Sequence, residues 1–147
     1  MSDIKLYTIG FTKKSAEQFF ATLRHNDVRN VIDVRLNNNS QLAGFAKHFD
    51  LHYFLKEIDN IDYVHRPDFA PTGELLKAYR KKTIDWDTYE REFVTLLRQR
   101  SIEGSVDPKT LDRTCLLCSE AEPLHCHRRL VAEYLRETLG GIVICHL

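Results

Sequence analysis

The sequence lacks net charge and lacks any long apolar run, and each absence argues against a class of protein. Twenty-one Lys and Arg residues balance 21 Asp and Glu residues in a chain of 147 residues. A globally basic surface, which would draw the protein to nucleic acid or to anionic membranes, is therefore not expected, whereas a local basic patch stays open. No apolar run approaches the roughly 18 residues of a membrane helix, and the N-terminus lacks the layout of a signal peptide.

Cysteine is missing from the first three quarters of the chain and then occurs at Cys115, Cys118, Cys126 and Cys145. A secreted scaffold would distribute its cysteines along the chain, so we expect reduced thiols and a cytoplasmic location. Hydrophobic residues make up 43% of the chain and charged residues 29%, which is typical of soluble globular proteins. The length fits a single domain over residues 1–147 with a core of its own.

Short apolar runs alternate with segments of helical period. They predict strands at 4–9, 30–34, 61–65, 114–118 and 142–146, and helices at 15–25, 48–58, 72–80, 85–98 and 127–139. Ser15 and Gln18 are typical of a capping box, Asp85 of an N-cap, and Gly140 of a helix end. Segments 36–44 and 101–112 are predicted loops. We assign the aromatic stripe that begins at Trp86 to the core.

This alternation predicts an α/β fold. Right-handed crossovers between apolar strands give a single three-layer domain, in which helices cover both faces of a mainly parallel sheet. Ligands of such sheets bind beyond the carboxyl ends of the strands. Reactive side chains follow three predicted strands, so we expect one site at this edge. The predicted catalytic residues are Asp33, Glu120, Cys126 and His127, and the predicted substrate-binding residues are Gly10, Arg35, Cys118 and Arg128.

The start of the last predicted helix is unusual because His127, Arg128 and Arg129 place cations where the helix dipole disfavours them. We expect Arg128 to point inward, to a carboxylate or a bound anion, and Arg129 to point outward, towards Glu133. Cys126 at this helix start is predicted to have a lowered pKa, as a nucleophile would, although a small buried hydrophobic residue is the alternative.

Arg35 has two interpretations that the sequence leaves open. It either pairs with Asp33 or binds a phosphate or carboxylate in bidentate fashion. For metals, Cys115 and Cys118 have the C-x₂-C spacing, but residues three apart on a strand point to opposite faces and would not share an ion. No metal and no cofactor is therefore expected, although a site built from Cys118, Cys126, His125 and His127 stays open.

The motifs together resemble the domain-of-unknown-function 488 family. The resemblance rests on Thr8-Ile9-Gly10, Asp33-Val34-Arg35, Ser40 with Gly44-Phe45, Leu117-Cys118-Ser119-Glu120, Pro123 and Cys126-His127-Arg128, and it extends to His146-Leu147. It implies a soluble, mostly prokaryotic α/β domain without an established activity. The family often has His after the first strand's glycine, where this chain has Phe11, and His65 is a candidate substitute.

Three functions follow from this sequence as hypotheses. The first is a small enzyme that acts on an anionic substrate, a nucleotide or a nucleic-acid end, and has no membrane partner. Arg35 and Arg128 would hold the anion, Glu120 or Asp33 would act as acid or base, and Cys126 or His127 would assist. The second is a non-catalytic module that binds a nucleotide or nucleic acid in the same pocket. The third is a metal-binding protein that uses Cys118, Cys126 and His127.

Overall fold

The computed structural model describes residues 3–37 and 44–147 and contains a five-stranded parallel sheet. The strands are β1 (Ile4–Gly10), β2 (Asn30–Asp33), β3 (Asp62–His65), β4 (Thr114–Cys118) and β5 (Ile142–His146). They lie in the order β3-β2-β4-β1-β5, and every neighbouring pair is parallel. The predicted three-layer α/β fold is confirmed, and every predicted strand is present.

The helices are α1 (Ala16–His25), α2 (His48–Asp59), α3 (Gly73–Arg80), α4 (Trp86–Arg100), α5 (Pro108–Leu111) and α6 (His127–Leu139). The capping box at α1 is confirmed, because the Ser15 hydroxyl accepts from the Gln18 N–H and the Gln18 side chain accepts from the Ser15 N–H. Asp85 caps α4 through the Thr88 N–H. Within the described ranges, the helices are too short or too polar to cross a membrane.

The prediction that segment 101–112 is a loop was wrong in part. Segment 101–112 contains a 3-10 turn, Ile102–Ser105, and the short helix α5. Asp107 accepts from the Lys109 N–H, and Pro108 occupies the first helical position, where its missing N–H costs nothing. In the other predicted loop, positions 38–43, which include Ser40, lie outside the described residues.

The sheet separates two apolar cores because successive residues of a strand face opposite sides. One core contains Leu116 and Cys118 of β4, packed with residues of α3, α4 and α6. The other contains Cys115 and Leu117 of the same strand, packed with residues of α1 and α2. Cys115 and Cys118 therefore point to opposite faces, as the strand period predicts.

The order of the strands determines where in the sheet a binding site forms. β1 and β4 are neighbours, but the helices that follow them, α1 and α6, cover opposite faces of the sheet. Such a switch point opens a crevice at the carboxyl ends of the strands. The ends are also level: Gly10 is in register with Cys118, and Leu117 is in register with both Ile9 and Asp33. Side chains at the ends of β1, β2 and β4 are thereby brought to one edge.

Candidate functional site

A pocket of about 530 Å³ lies at this edge and contains most of the predicted site. Five of the predicted residues line it, namely Arg35, Cys118, Glu120, Cys126 and His127. The other three, Gly10, Asp33 and Arg128, are buried next to the pocket and are not among its lining residues. The sequence therefore predicted the location of the pocket, but it did not separate the lining residues from those behind them.

Asp33 holds Arg35 in a fixed orientation. The carboxylate is fully buried and accepts from Arg35 Nε at 2.9 Å, Arg35 Nη2 at 2.7 Å and the Arg35 backbone N–H at 3.1 Å. The Tyr63 hydroxyl donates to it at 2.5 Å. Burial opposes the charge of Arg35, but the hydrogen bonds and the charge of Asp33 outweigh burial and raise the pKa of Arg35. This geometry makes Asp33 a positioning residue for Arg35.

The remaining contacts of Arg35 leave one nitrogen without a partner. Nη2 also donates to the Ala46 carbonyl at 2.8 Å, and the Phe11 ring centre lies 5.1 Å from the guanidinium carbon. Nη1 is buried and has no hydrogen-bond partner in the described part of the chain. A buried unsatisfied donor on a charged group is costly, so this nitrogen is a place where a ligand oxygen would be stabilised.

His65 does not take the place of the histidine that Phe11 replaces. Its Nε2 donates to the Arg35 carbonyl at 2.7 Å, and His65 is not a lining residue of the pocket. The contact ties the end of β3 to the segment after β2. His65 thus supports the position of Arg35 from behind.

The two pocket thiols differ in how they hold a proton. A hydrogen bond from Cys126, together with backbone N–H groups of Ser119 and Glu120 and the charge of Arg128, lowers the pKa of Cys118 despite its burial. The same hydrogen bond and burial raise the pKa of Cys126. The prediction of a lowered pKa at Cys126 was therefore wrong. The protonated form of Cys126 is favoured because burial and the neighbouring Cys118 sulfur both oppose a negative charge on it.

His127 is oriented by the end of the neighbouring strand. Its Nε2 lies 2.6 Å from the Val34 carbonyl, an atom that only accepts, so Nε2 carries the proton. Both ring nitrogens lie 3.8 Å from Cys118 Sγ. Phe93 packs against the ring with the centroids 5.6 Å apart. His127 therefore holds a fixed imidazole beside the Cys118 sulfur.

Arg128 points inward as predicted, but its partners differ from the expected carboxylate or bound anion. The side chain is fully buried and donates from Nη1 to the Glu120 carbonyl at 2.6 Å, from Nε to Thr8 Oγ1 at 3.2 Å and from Nη2 to the Ala121 carbonyl at 3.4 Å. The guanidinium of Arg128 thus donates hydrogen bonds to three oxygen atoms of the protein itself. It fixes the loop after β4 rather than reaching the pocket.

Gly10 makes this loop arrangement possible. A Cβ built on Gly10 would lie 1.6 Å from the Glu120 carbonyl oxygen, far inside contact distance. Backbone hydrogen bonds continue the approach, because Phe11 and Thr12 donate to the carbonyls of Cys118 and Ser119. Glycine is thus required where the end of β1 meets the loop after β4.

Arg129 lies on the outer side of α6, as predicted. Its Nη1 pairs with Glu133 at 3.0 Å and its Nη2 with Glu90 at 3.3 Å. The guanidinium also lies 5.9 Å from the Trp86 ring centre. The cations that crowd the start of α6 are therefore compensated separately, Arg128 by oxygen atoms inside and Arg129 by carboxylates outside.

The sequence did not predict that a group of aromatic side chains lines the pocket. Tyr79, Trp86, Tyr89 and His125 line one side of the pocket, and Trp86 lies 4.9 Å from His125 between ring centres. Trp86 is half-buried and packs against the core while it also lines the pocket, so its assignment to the core is confirmed only in part. The reason is its place as the first residue of α4, at the pocket mouth. In the sequence, Trp86 differs from Phe93 in one respect: it follows a polar turn directly, at the start of the predicted helix.

The thiols and His127 are also close enough to contact one metal ion. Cys118 Sγ, Cys126 Sγ and a ring nitrogen of His127 lie within 4.8 Å of one another. His125, the fourth member of the set considered from the sequence, packs against Trp86 in a tilted arrangement and does not join them among the described residues. Arg128 and Arg35 lie next to this group, and their charges favour thiolate and anion over a further cation.

Comparisons with known proteins give one match. Neither the curated proteins nor the solved structures include a match to this chain. The model of the family described as "Domain of unknown function DUF488" matches residues 15–135, which is most of the chain. The matched segment contains every predicted site residue except Gly10. The chain belongs to the DUF488 family.

Proposed function

We propose that this protein is a small enzyme that binds an anionic substrate in the pocket at the carboxyl edge of the sheet, and that Arg35 holds the anion. The observation that carries the proposal is Nη1 of Arg35, which is buried and lacks a hydrogen-bond partner in residues 3–37 and 44–147. Asp33 fixes the other edge of the guanidinium. A phosphate or carboxylate oxygen on Nη1 would supply the missing acceptor in a preorganised geometry.

The shape and lining of the pocket favour a nucleotide or a nucleic-acid end. Its volume of about 530 Å³ lies in the range of small-molecule sites. Tyr79, Trp86 and His125 offer ring faces on which a base would stack, and Arg80 adds an exposed cation. A ligand with a phosphate at one end and an aromatic ring at the other matches both parts of the lining.

Cys118 is the proposed nucleophile. It lines the pocket beside Arg35, and the environment that lowers its pKa favours the reactive thiolate. The His127 imidazole and the Cys126 thiol lie beside Cys118 and would orient its thiolate. Glu120 is exposed at the pocket and is the proposed acid or base.

Binding is tested through Trp86, the single tryptophan of the chain, which reports on the pocket by its fluorescence. We expect a nucleoside monophosphate to change this fluorescence, inorganic phosphate to compete with it, and the uncharged nucleoside to bind at least about tenfold more weakly. Arg35→Lys should abolish binding, and Arg80→Gln should weaken it without affecting the fold. Arg98→Gln is the matched control, since Arg98 is exposed and pairs with Glu137.

Catalysis is tested separately from binding. Turnover of a panel of nucleotides and of short oligonucleotides with terminal phosphates should be lost in Cys118→Ser while fluorescence binding persists. If the wild-type protein binds these anions and converts none of them, the non-catalytic binding module is the correct function. Equal binding of the charged and uncharged ligands would refute the anion site.

A further inference from the structure

The pocket contains two neighbouring thiols, which is more than a single nucleophile requires. The sulfur atoms of Cys118 and Cys126 lie within 4.8 Å of each other. Both residues line the pocket although their side chains are only 4% and 2% exposed. The pocket therefore gives a small neutral molecule a route towards both residues.

The two thiols are also unequal in the way a redox pair requires. Their shared contact and their different surroundings lower the pKa of Cys118 and raise the pKa of Cys126, so the charged form is favoured at the first sulfur and the protonated form at the second. Oxidants react with the thiolate, and a neighbouring thiol then resolves the oxidised product. Here the resolving sulfur lies on the residue that precedes α6, eight positions along the chain from its partner.

We propose that Cys118 is a site of reversible oxidation by hydrogen peroxide and that Cys126 resolves it as an intramolecular disulfide. In the first step the Cys118 thiolate attacks one peroxide oxygen, the O–O bond breaks, and hydroxide leaves, so Cys118 becomes a sulfenic acid. In the second step Cys126 attacks the Cys118 sulfur. The S–S bond forms, the S–O bond breaks, and the Cys126 proton leaves with the hydroxyl group as water.

Atoms and electrons balance over the two steps. Two thiols lose two electrons in total, and one peroxide is reduced to two waters once the hydroxide of the first step takes a proton. Bond formation needs the sulfur atoms to close from at most 4.8 Å to about 2.05 Å. Side-chain rotation and a small shift of the loop after β4 supply this movement, because Cys126 lies at the end of that loop.

Two further cysteines are internal controls. Cys115 faces the opposite core, is fully buried, and has a pKa raised by burial. Cys145 is half-buried on β5, in the same core as Cys115. Neither lines the pocket. Oxidation directed by the pocket should therefore select Cys118 and Cys126 from the four cysteines of the chain.

The experiment is peptide mapping of the reduced wild-type protein after treatment with hydrogen peroxide and alkylation under denaturing conditions. We expect a Cys118–Cys126 cross-linked peptide that dithiothreitol reverses, with Cys115 and Cys145 alkylated. In folded reduced protein, iodoacetamide should modify Cys118 at least about tenfold faster than Cys115. A cross-link through Cys115 or Cys145, or no cross-link, would overturn the proposal.

Variants separate the two steps. Cys126→Ser should accumulate the sulfenic acid at Cys118, detected as a dimedone adduct, and Cys118→Ser should leave Cys126 unoxidised. Cys115→Ser is the matched control and should form the cross-link as the wild type does. A dimedone adduct on Cys126 in the Cys118→Ser variant would overturn the order of the steps. The inference does not rest on the proposed substrate, since no anionic ligand is present in these measurements.

Discussion

Replacement of Arg128 tests whether this buried cation holds the loop after β4. The side chain is fully buried, and its hydrogen bonds go to Thr8 and to the carbonyls of Glu120 and Ala121. Arg128→Ala removes three bonds from a charged donor, each contributing about 1.5–3 kcal/mol, and leaves a cavity. The two carbonyls follow β4 in a surface loop and regain water, so we expect a net loss of about 3–4 kcal/mol in the free energy of unfolding.

The assay is urea and thermal unfolding of Arg128→Ala beside Arg129→Ala. At about 2–4 °C per kcal/mol for a chain of this size, Arg128→Ala should lower Tm by about 6–16 °C. Arg129→Ala should cost under about 1 kcal/mol, because its partners Glu90 and Glu133 are more than one-third exposed and water screens these pairs. A Tm for Arg128→Ala within about 2 °C of the wild type, or equal losses from the two substitutions, would refute this assignment.

Two further predictions concern unfolding of variants, and a third concerns metal content. Gly10→Ala should lower stability by at least about 3 kcal/mol in urea unfolding, since its Cβ would collide with the Glu120 carbonyl, and a wild-type midpoint would contradict this packing. Burial raises the pKa of Asp59, so protonation stabilises the fold at low pH and that stability is lost as the pH rises through the folded-state pKa. Asp59→Asn should therefore gain up to about 1 kcal/mol at pH 7.5 and less towards pH 4, whereas a loss at pH 7.5 would show a stabilising carboxylate. Elemental analysis should find no stoichiometric zinc, because Cys115 and Cys118 face apart and arginines border Cys118, and one zinc per chain would favour the metal-binding hypothesis.

The strands and the edge of the site were predictable because they depend on local pattern and on a general rule. Strands covered on both faces are apolar throughout, so β4 was clear as Thr114–Cys118 from the sequence. The rule that ligands bind at the carboxyl ends then brought Arg35, Cys118 and Cys126 together without knowledge of strand order. The rule was sufficient to locate the site because the register of β1, β2 and β4 places the ends of these strands side by side.

The direction of individual side chains was not predictable. Whether Asp33 faces the pocket or supports Arg35 depends on the turn after β2, and Tyr63 on β3 completes its hydrogen bonds only because β2 and β3 are neighbours. The assignment of the thiolate depended on distances across the loop after β4. The helix dipole favours Cys126, but the thiol contact and the backbone N–H groups near Cys118 outweigh it.

The charges around the pocket favour a thiolate at Cys118, as the proposed function requires. Asp33 compensates Arg35, whereas Arg128 has no carboxylate partner among the ion pairs of the described residues. The buried surroundings of Cys118 thus retain an excess of positive charge, which a thiolate reduces. Arg35 offers its remaining N–H to a second negative group nearby. Arg35 and Cys118 both line the pocket, so in the proposed function an electrophilic centre on an anion held by Arg35 would lie close to the Cys118 sulfur.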